Sequence, residues 1–136
     1  MIVLDASVLI ALCDWNDVHH RRALAIFRDH RSEGMTMSAL TVAESLVRPA
    51  REGTHHRVLE LLGAMRVHVR PLTADDTVLL AKLRGRWGLR MPDAVVLHAS
   101  LCTGAELATF DEALLATARS IGVQTVQVTS AEPATV

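Results

Sequence analysis

The chain has 136 residues and a mass of 14.8 kDa, which suits one domain with an ordinary hydrophobic core. Half of its residues are apolar and 21% are charged, which excludes a disordered chain. A net charge of −1 and an aromatic content of 3% argue against a nucleic-acid binder that relies on a basic patch and on base stacking.

Short apolar runs alternate with stretches of helical period along the chain. In chain order, the pattern predicts strand 1–4, helix 6–14, helix 17–31, strand 35–38, helix 40–51, helix 55–65, strand 67–72, helix 73–87, helix 92–101, strand 106–109, helix 111–120 and strand 123–128. Ser7 and Thr73 are predicted to cap the first and fifth helices. Gly88 is predicted to end the fifth helix, and Pro92 to begin the sixth.

Strands that alternate with helices predict an α/β fold with a mainly parallel central sheet. We expect a single domain over residues 1–128 and a C-terminal tail over 129–136. In sheets of this kind, ligands bind beyond the carboxyl ends of the strands. A ligand site is therefore expected where the strands end, at positions 5, 38–40, 72, 110–111 and 128.

The two cysteines indicate a reducing compartment. Cys13 and Cys102 lie far apart and outside any CxxC spacing, so we expect two small buried apolar residues in a cytoplasmic protein. No apolar run approaches the ~20 residues of a membrane span. The chain opens on a strand-like run without preceding basic residues, so neither a signal peptide nor a membrane partner is expected.

Four acidic side chains from four separate elements are candidates for a common site. Asp5 and Asp111 directly follow the first and fourth predicted strands. Glu44 lies in the helix after the second strand, among apolar neighbours, and Asp93 is the second residue of the helix that Pro92 begins. The four carboxylates could therefore meet at the carboxyl edge of the sheet.

Carboxylates a few ångströms apart repel one another and raise each other's pKa, so such a cluster requires a counter-charge. The set holds only oxygen donors, with no His or Cys at metal-ligand spacing, which favours Mg²⁺ or Mn²⁺ over zinc. Ions held in this way typically act on phosphate esters. The alternative is that Asp5 and Asp111 only cap helices, while Glu44 is half exposed and Asp93 complements a helix dipole. The pattern alone leaves both interpretations open.

Four short motifs, in this order, resemble those of PIN-domain ribonucleases. They are residues 2–10 (IVLDASVLI), 41–44 (TVAE), 89–94 (LRMPDA) and 108–111 (ATFD). The resemblance spans residues 1 to about 128 and is strongest to the toxin half of VapBC toxin–antitoxin modules. It implies a three-layer α/β/α domain around the mainly parallel sheet.

The resemblance also implies a function, a metal-dependent endoribonuclease that uses Mg²⁺ or Mn²⁺. The catalytic and metal-binding acids that it implies are Asp5, Glu44, Asp93 and Asp111. Ser7 and Thr109 match positions of supporting hydroxyl groups. Water would attack phosphorus and leave a 5′-phosphate and a 3′-hydroxyl. Some relatives have a further acid after the position of Asp111, whereas only Glu112 is adjacent here, so we expect one bound ion before RNA arrives.

The implied partners are an RNA substrate, a cognate antitoxin protein and a second copy of the chain in a homodimer. The RNA itself is not specified by the sequence. Arg84, Arg86 and Arg90 cluster just before Asp93; they form either a solubilising face or, for Arg86 and Arg90, contacts to RNA phosphates. An exposed Trp15 would fit the groove that receives the antitoxin in the VapBC family.

The histidines are not predicted to be ligands. The pairs at 19–20 and 55–56 are adjacent residues that do not share a helix face, so solvated helix surfaces are expected. We expect His68 and His98 to be core or edge histidines.

Three other functions are alternatives to the nuclease. Phosphatase chemistry of the haloacid-dehalogenase type requires Asp-x-Asp, but Ser7 occupies the second position. A phospho-acceptor receiver domain requires a Lys near the last strand, whereas Lys82 lies in mid-helix. A catalytically weak PIN-fold interaction module is the third, and it would differ from the nuclease by lacking metal-dependent RNA cleavage.

Overall fold

A computed structural model describes residues 1–127 of the chain. Its four strands are β1 Ile2–Leu4, β2 Met35–Ser38, β3 His68–Arg70 and β4 Glu106–Ala108. Its eight helices are α1 Ala6–Cys13, α2 His20–His30, α3 Ala39–Ser45, α4 Val47–Glu52, α5 His55–Ala64, α6 Thr77–Trp87, α7 Met91–Thr103 and α8 Glu112–Ser120. Short 3₁₀ turns at Arg31–Glu33 and Ala74–Asp76 precede β2 and α6.

The strands form one parallel sheet in the order β3-β2-β1-β4. Val3 of β1 is in register with Thr36 of β2 and Leu107 of β4. Successive side chains of a strand point to opposite faces. Accordingly, Ile2 and Leu4 pack with α1, α2 and α5, whereas Val3 packs with α6, α7 and α8. The predicted three-layer α/β/α fold with a parallel central sheet is confirmed.

Helix α7 has the most buried residues of the described helices and positions one candidate acid. Seven consecutive residues of this helix, 94–100, are buried, as expected of a helix that is apolar on nearly all sides. Pro92 lies in the first turn, and Gly104 ends the helix with a φ of 70°. Asp93 is thereby fixed in the first turn of a rigid core helix.

The predicted helix 40–51 is wrong as a single element, because it is divided into α3 and α4 at Leu46. The cause is Pro49, which has no N–H to donate to the carbonyl four residues earlier and whose ring crowds that carbonyl. Ser7 is not the cap of α1 either. Asp5 occupies the N-cap position, and the Ser7 hydroxyl donates to the Asp5 carboxylate instead.

The predicted strand 123–128 is reduced to one bridge between Leu107 and Thr125 over the described residues. The Leu107 N–H donates to Gln124 O, and the Val126 N–H donates to Leu107 O, both at 2.8 Å. Leu107 is the one residue of the three-residue β4 whose N–H and C=O both face away from β1. The pairing of β4 with residues 124–126 is therefore limited to Leu107. Val128 and the predicted tail 129–136 lie outside the described residues.

Among residues 1–127, no helix combines the length and the apolar character needed to cross a membrane.

Candidate active site

Four helices begin near the carboxyl edge of the sheet, and each carries one candidate acid. Asp5 and Asp111 are the N-cap residues of α1 and α8, just beyond β1 and β4. Asp93 lies in the first turn of α7, and Glu44 lies in α3, which follows β2. Helix N-termini carry partial positive charge, which favours the carboxylates of Asp5, Asp93 and Asp111, whereas Glu44 is the sixth residue of the seven-residue α3. These four residues are hereafter the acidic quartet.

Asp5 is held by two hydroxyl groups. It is 8% exposed, and its Oδ2 accepts hydrogen bonds from Ser7 Oγ at 2.9 Å and from Thr109 Oγ1 at 2.6 Å. Hydrogen bonds to a charged acceptor are stronger than neutral ones. Because both hydroxyls bond the same oxygen, the other carboxylate oxygen, Oδ1, is left to a ligand.

The same hydroxyls fix the end of β4. Ser7 Oγ accepts the Phe110 N–H at 3.1 Å, and Thr109 Oγ1 accepts the Asp111 N–H at 3.0 Å. Asp111 then caps α8, because its Oδ1 accepts the Leu114 N–H at 3.1 Å. One hydrogen-bonded network therefore sets the separation between two members of the acidic quartet, although about a hundred residues of chain lie between them.

The members of the quartet repel one another. Partial burial raises the pKa of Glu44, and the charges of Asp5 and Asp93 raise it further. Partial burial also raises the pKa of Asp93, with added contributions from the charges of Asp111 and Asp5. Since each of these carboxyl groups responds to other members, the structure brings all four into one electrostatic cluster.

One arginine offsets part of this negative charge. The charge of Arg90 opposes the increase in the pKa of both Glu44 and Asp93. Arg90 is exposed and is the N-cap residue of α7. Arg86 is placed differently: its guanidinium carbon lies 5.6 Å from the ring centre of Trp87. The two arginines that the sequence groups together are thus not equivalent.

The donor set of the quartet suits a hard divalent cation. All its side-chain donors are oxygens, and mutual repulsion provides the negative potential that attracts such an ion. In residues 1–127, no three of these carboxylates have oxygens within 4.8 Å of one another. Mg²⁺ is commonly held by one or two carboxylates plus water, so a closed cage of side chains is not required.

Three side chains beside the quartet, those of His19, Arg22 and Phe110, contact one another in a way that the sequence did not predict. The ring of His19 stacks on that of Phe110 with centroids 4.6 Å apart, and the Arg22 guanidinium carbon lies 4.9 Å from the Phe110 centroid. His20 also has a partner, since its Nδ1 lies 2.7 Å from Ala11 O. The prediction of a solvated surface for this pair is therefore wrong. The i,i+3 spacing of His19 and Arg22 was the available signal.

A second set of ligand-type side chains lies elsewhere in the fold. Asp76, His98 and Cys102 place one donor atom each within 4.8 Å of the other two. The sequence predicts a core or edge histidine at His98 and a small buried apolar residue at Cys102. His98 is indeed buried, but both Cys102 and Cys13 are exposed. The i,i+4 spacing of His98 and Cys102 on one helix face was the signal that was missed.

The sequence model of the PIN domain matches residues 2–120, so the chain belongs to the PIN domain family. Several solved structures share its fold. The VapC20 toxin of Mycobacterium tuberculosis, described as cleaving the sarcin–ricin loop, is 21% identical over 93% of this chain and 98% of its own, with a TM-score of 0.74. FitAcB of Neisseria gonorrhoeae is 20% identical over 93% and 97%, with a TM-score of 0.69.

A toxin–antitoxin complex from Klebsiella pneumoniae is also similar, at 20% identity over 82% of this chain and 87% of the other, with a TM-score of 0.65. Comparison with curated protein sequences gives no match. At these identities, the likeness to solved structures establishes the fold.

Proposed function

We propose that this chain is a metal-dependent endoribonuclease that acts as the toxin of a toxin–antitoxin pair. The observation that carries the proposal is the acidic quartet, whose Asp5 is fixed by the hydroxyls of Ser7 and Thr109 at the carboxyl edge of a PIN domain. A fold of this kind needs no such cluster for stability, because repulsion between the carboxylates destabilises it.

The quartet would hold Mg²⁺ or Mn²⁺. When bound, such an ion activates water and neutralises charge on the phosphate that is attacked. Asp5 and Asp93 are the proposed direct ligands, because one is fixed by hydrogen bonds and the other by a rigid helix. Glu44 and Asp111 complete the negative site, and the Ser7 and Thr109 hydroxyls keep the Asp5 carboxylate in one orientation. Hydrolysis would leave a 5′-phosphate and a 3′-hydroxyl.

RNA would be bound mainly through its phosphates. Four of the fifteen acidic residues belong to the quartet, which leaves eleven against fourteen basic residues outside the site. Arg90, at the edge of the quartet, is the proposed phosphate contact there, and Arg22 beside Phe110 is a second cation near the same edge. The scarcity of aromatic residues disfavours recognition by base stacking.

The first test is RNA cleavage by the purified chain with Mg²⁺ or Mn²⁺, with and without EDTA. We expect EDTA to abolish cleavage and Asp93→Asn to reduce it to background while the circular dichroism spectrum is unchanged. Asp29→Asn is the matched control, because Asp29 is an exposed aspartate on α2, away from the quartet. Cleavage by Asp93→Asn at the rate of Asp29→Asn would refute the proposal, as would activity that resists EDTA.

An antitoxin is the proposed regulatory partner. Trp15 and Val18, which follow α1, are 79% and 86% exposed, so a large apolar surface faces solvent there. The Klebsiella pneumoniae relative was solved as a toxin–antitoxin complex. A homodimer that places two quartets along one groove is proposed by analogy with the family.

The antitoxin proposal predicts that the reading frame beside the gene of this chain encodes a small antitoxin, and that protein provides the test. Its addition should stop RNA cleavage, and Trp15→Ser should weaken that inhibition by tenfold or more, because large aromatic residues dominate interface energetics (about 2 kcal/mol or more). Val78→Ser is the control, since Val78 is 63% exposed on α6, which packs on the opposite face of the sheet from α1. Equal inhibition of both variants would contradict a role for Trp15.

A catalytically weak interaction module is the second candidate. Glu112 is the sole acid directly after Asp111, which leaves fewer ligands for a second metal ion. This candidate predicts binding of the neighbouring protein without RNA cleavage, even with Mn²⁺.

A further inference from the structure

Three ligand-bearing side chains meet between the start of α6 and the second half of α7, away from the acidic quartet. Asp76 ends the 3₁₀ turn before α6, and His98 and Cys102 lie one turn apart on α7. At 1.5 Å of rise per residue, His98 is about 7.5 Å and Cys102 about 13.5 Å along the helix from Asp93. The cluster is therefore separate from the site that the proposed function uses.

We propose that Asp76, His98 and Cys102 bind a thiophilic divalent cation of the Zn²⁺ class. Their donor atoms, one carboxylate oxygen, one imidazole nitrogen and one sulfur, all lie within 4.8 Å of one another. Nitrogen and sulfur ligands select Zn²⁺ over Mg²⁺, and three protein ligands with one open position form a known type of zinc coordination.

The separation of the nitrogen and oxygen donors is close to that of a tetrahedral zinc site, whereas the sulfur has to move to reach the ion. His98 Nε2 lies 3.1 Å from Asp76 Oδ1 and 3.5 Å from Cys102 Sγ. Tetrahedral Zn²⁺ with the usual bond lengths places nitrogen and oxygen about 3.3 Å apart, and nitrogen and sulfur about 3.5 Å apart. Cys102 Sγ also lies 4.0 Å from His98 Nδ1, so the thiol now lies beside the ring. Rotation about χ1 of the exposed Cys102 would turn the sulfur toward the ion.

Two of the ligands are already fixed. His98 is 2% exposed within the core of α7. Asp76 is held by the capping box, in which its Oδ2 accepts the Thr73 N–H at 2.7 Å while Oδ1 points to His98. The Thr73 N–H bond is the first cause that lowers the pKa of Asp76, so this carboxylate is ionised at neutral pH. Outer hydrogen bonds of this kind orient metal-binding carboxylates.

The position of Cys102 leaves solvent access for the fourth ligand, since this residue is exposed. A cation here would link the turn before α6 to α7, the helix that carries Asp93 and Arg90 at its other end. Bound Zn²⁺ should therefore raise the thermal stability of the folded chain through its preference for the native state.

The test is Co²⁺ titration of the full chain after metal removal with EDTA. A thiolate ligand gives Co²⁺ a near-ultraviolet charge-transfer band that oxygen ligands do not give. We expect this band at one ion per chain and its displacement by Zn²⁺. Cys102→Ser should abolish the band, and Asp76→Asn should weaken Co²⁺ binding at least tenfold.

Cys13→Ser is the matched control, because Cys13 is the other exposed thiol of the chain. It should retain the band, as should Asp93→Asn, so failure of the proposed nuclease function would leave this result unaffected. A band that is absent from the wild-type chain, or that survives Cys102→Ser, would overturn the zinc proposal.

A second measurement uses the wild-type chain alone and needs no variant to fold. Zn²⁺ should slow alkylation of Cys102 by at least tenfold while alkylation of Cys13 proceeds unchanged, with both sites quantified by peptide mass spectrometry. Equal rates at Cys102 with and without Zn²⁺ would also overturn the proposal.

Discussion

Helix α7 has side chains with potential metal-ligand atoms at both ends, and the two ends differ in the type of donor atom. Its first turn contributes Asp93 to a cluster that holds carboxylates alone, whereas its later turns contribute His98 and Cys102 to a mixed cluster with Asp76. Hard oxygen ligands suit Mg²⁺ or Mn²⁺, and nitrogen and sulfur suit Zn²⁺. One rigid helix thus contributes to both proposed cation sites, which suit different classes of ion.

The two clusters also differ in their electrostatic balance. In the acidic quartet, like charges raise the pKa of Glu44 and Asp93. In the mixed cluster, the Thr73 N–H and the nearby His98 both lower the pKa of Asp76. The quartet is therefore unfavourable until a cation binds, whereas the mixed cluster is tolerated without one. Repulsion kept in a folded protein is a better indicator of function than a satisfied hydrogen-bonded group.

The largest expected effect comes from Asp5→Asn. Replacing this proposed metal ligand should lower the rate of RNA cleavage about a thousandfold, which corresponds to about 4 kcal/mol of barrier. Asp76→Asn is the matched change in the other cluster and should leave cleavage intact. The comparison is made from initial rates of RNA cleavage in Mg²⁺. Loss of cleavage in both variants would show that the two ends of α7 are not independent.

Thr109→Val tests the hydroxyl support at the same site. Valine keeps the shape but removes the donor to Asp5 and the acceptor of the Asp111 N–H, so cleavage should fall about 10- to 100-fold. The lost buried hydrogen bonds should also lower the free energy of unfolding by about 1–3 kcal/mol.

Thr36→Val is the control for Thr109→Val. Thr36 is buried like Thr109, and its hydroxyl donates to His68 O at 2.8 Å, within the sheet. It should show a similar loss of stability in a urea titration but unchanged cleavage. Equal activity of the two variants would mean that Thr109 has only a structural role.

The positions of Asp5 and Asp111 could be anticipated because each follows a short apolar strand, and parallel strands end at one edge. The bond from Thr109 to Asp5 could not, since it joins residues that are 104 positions apart. Part of the mixed cluster could be predicted, because the i,i+4 spacing of His98 and Cys102 is present in the sequence. Asp76 meets them only because α6 packs antiparallel to α7, which local pattern does not specify.

The next largest effect is expected in the free energy of unfolding, which should depend on pH when no metal is present. The pKa values of Asp93 and Glu44 are raised above their ordinary values of 3.8 and 4.5, so the folded chain keeps these protons when the unfolded chain has lost them. The free energy of unfolding should therefore fall as pH rises above about 4 and through the raised pKa values. Mg²⁺ should reverse the loss, because it binds the folded chain.

Asp93→Asn removes one charge from the quartet and should flatten this pH dependence. In EDTA at pH 7, the variant should melt above the wild type, because it removes one of the like charges that raise the pKa of Glu44 and one of the partly buried carboxylates of the quartet. It should also lose the Mg²⁺-dependent increase. Asp29→Asn should behave as the wild type in both respects. A lower melting temperature for Asp93→Asn would contradict repulsion within the quartet.

The smallest effect is expected from replacing arginines. It distinguishes two roles of Arg90, which are contact with RNA and repulsion of the metal ion. Arg90 offsets the charge of Glu44 and Asp93, whereas Arg86 lies over Trp87. Arg90→Gln should therefore weaken RNA binding a few-fold and reduce the slope of log affinity against log salt by about 0.7, as for one lost phosphate contact on a single strand. Because the same change removes a positive charge that competes with a cation, Mg²⁺ affinity should rise.

Arg86→Gln is the control for Arg90→Gln and should leave Mg²⁺ affinity unchanged. RNA binding to an inactive Asp5→Asn background and calorimetric titration with Mg²⁺ measure the two quantities separately. If the two arginine variants change RNA affinity equally and neither changes Mg²⁺ affinity, the basic surface acts as a diffuse field rather than through Arg90. If Arg90 lies at the edge of the quartet, Arg90→Gln should lower RNA affinity and raise Mg²⁺ affinity, and Arg86→Gln should not. The reason is that the charge of Arg90 attracts the RNA phosphate and repels the metal ion.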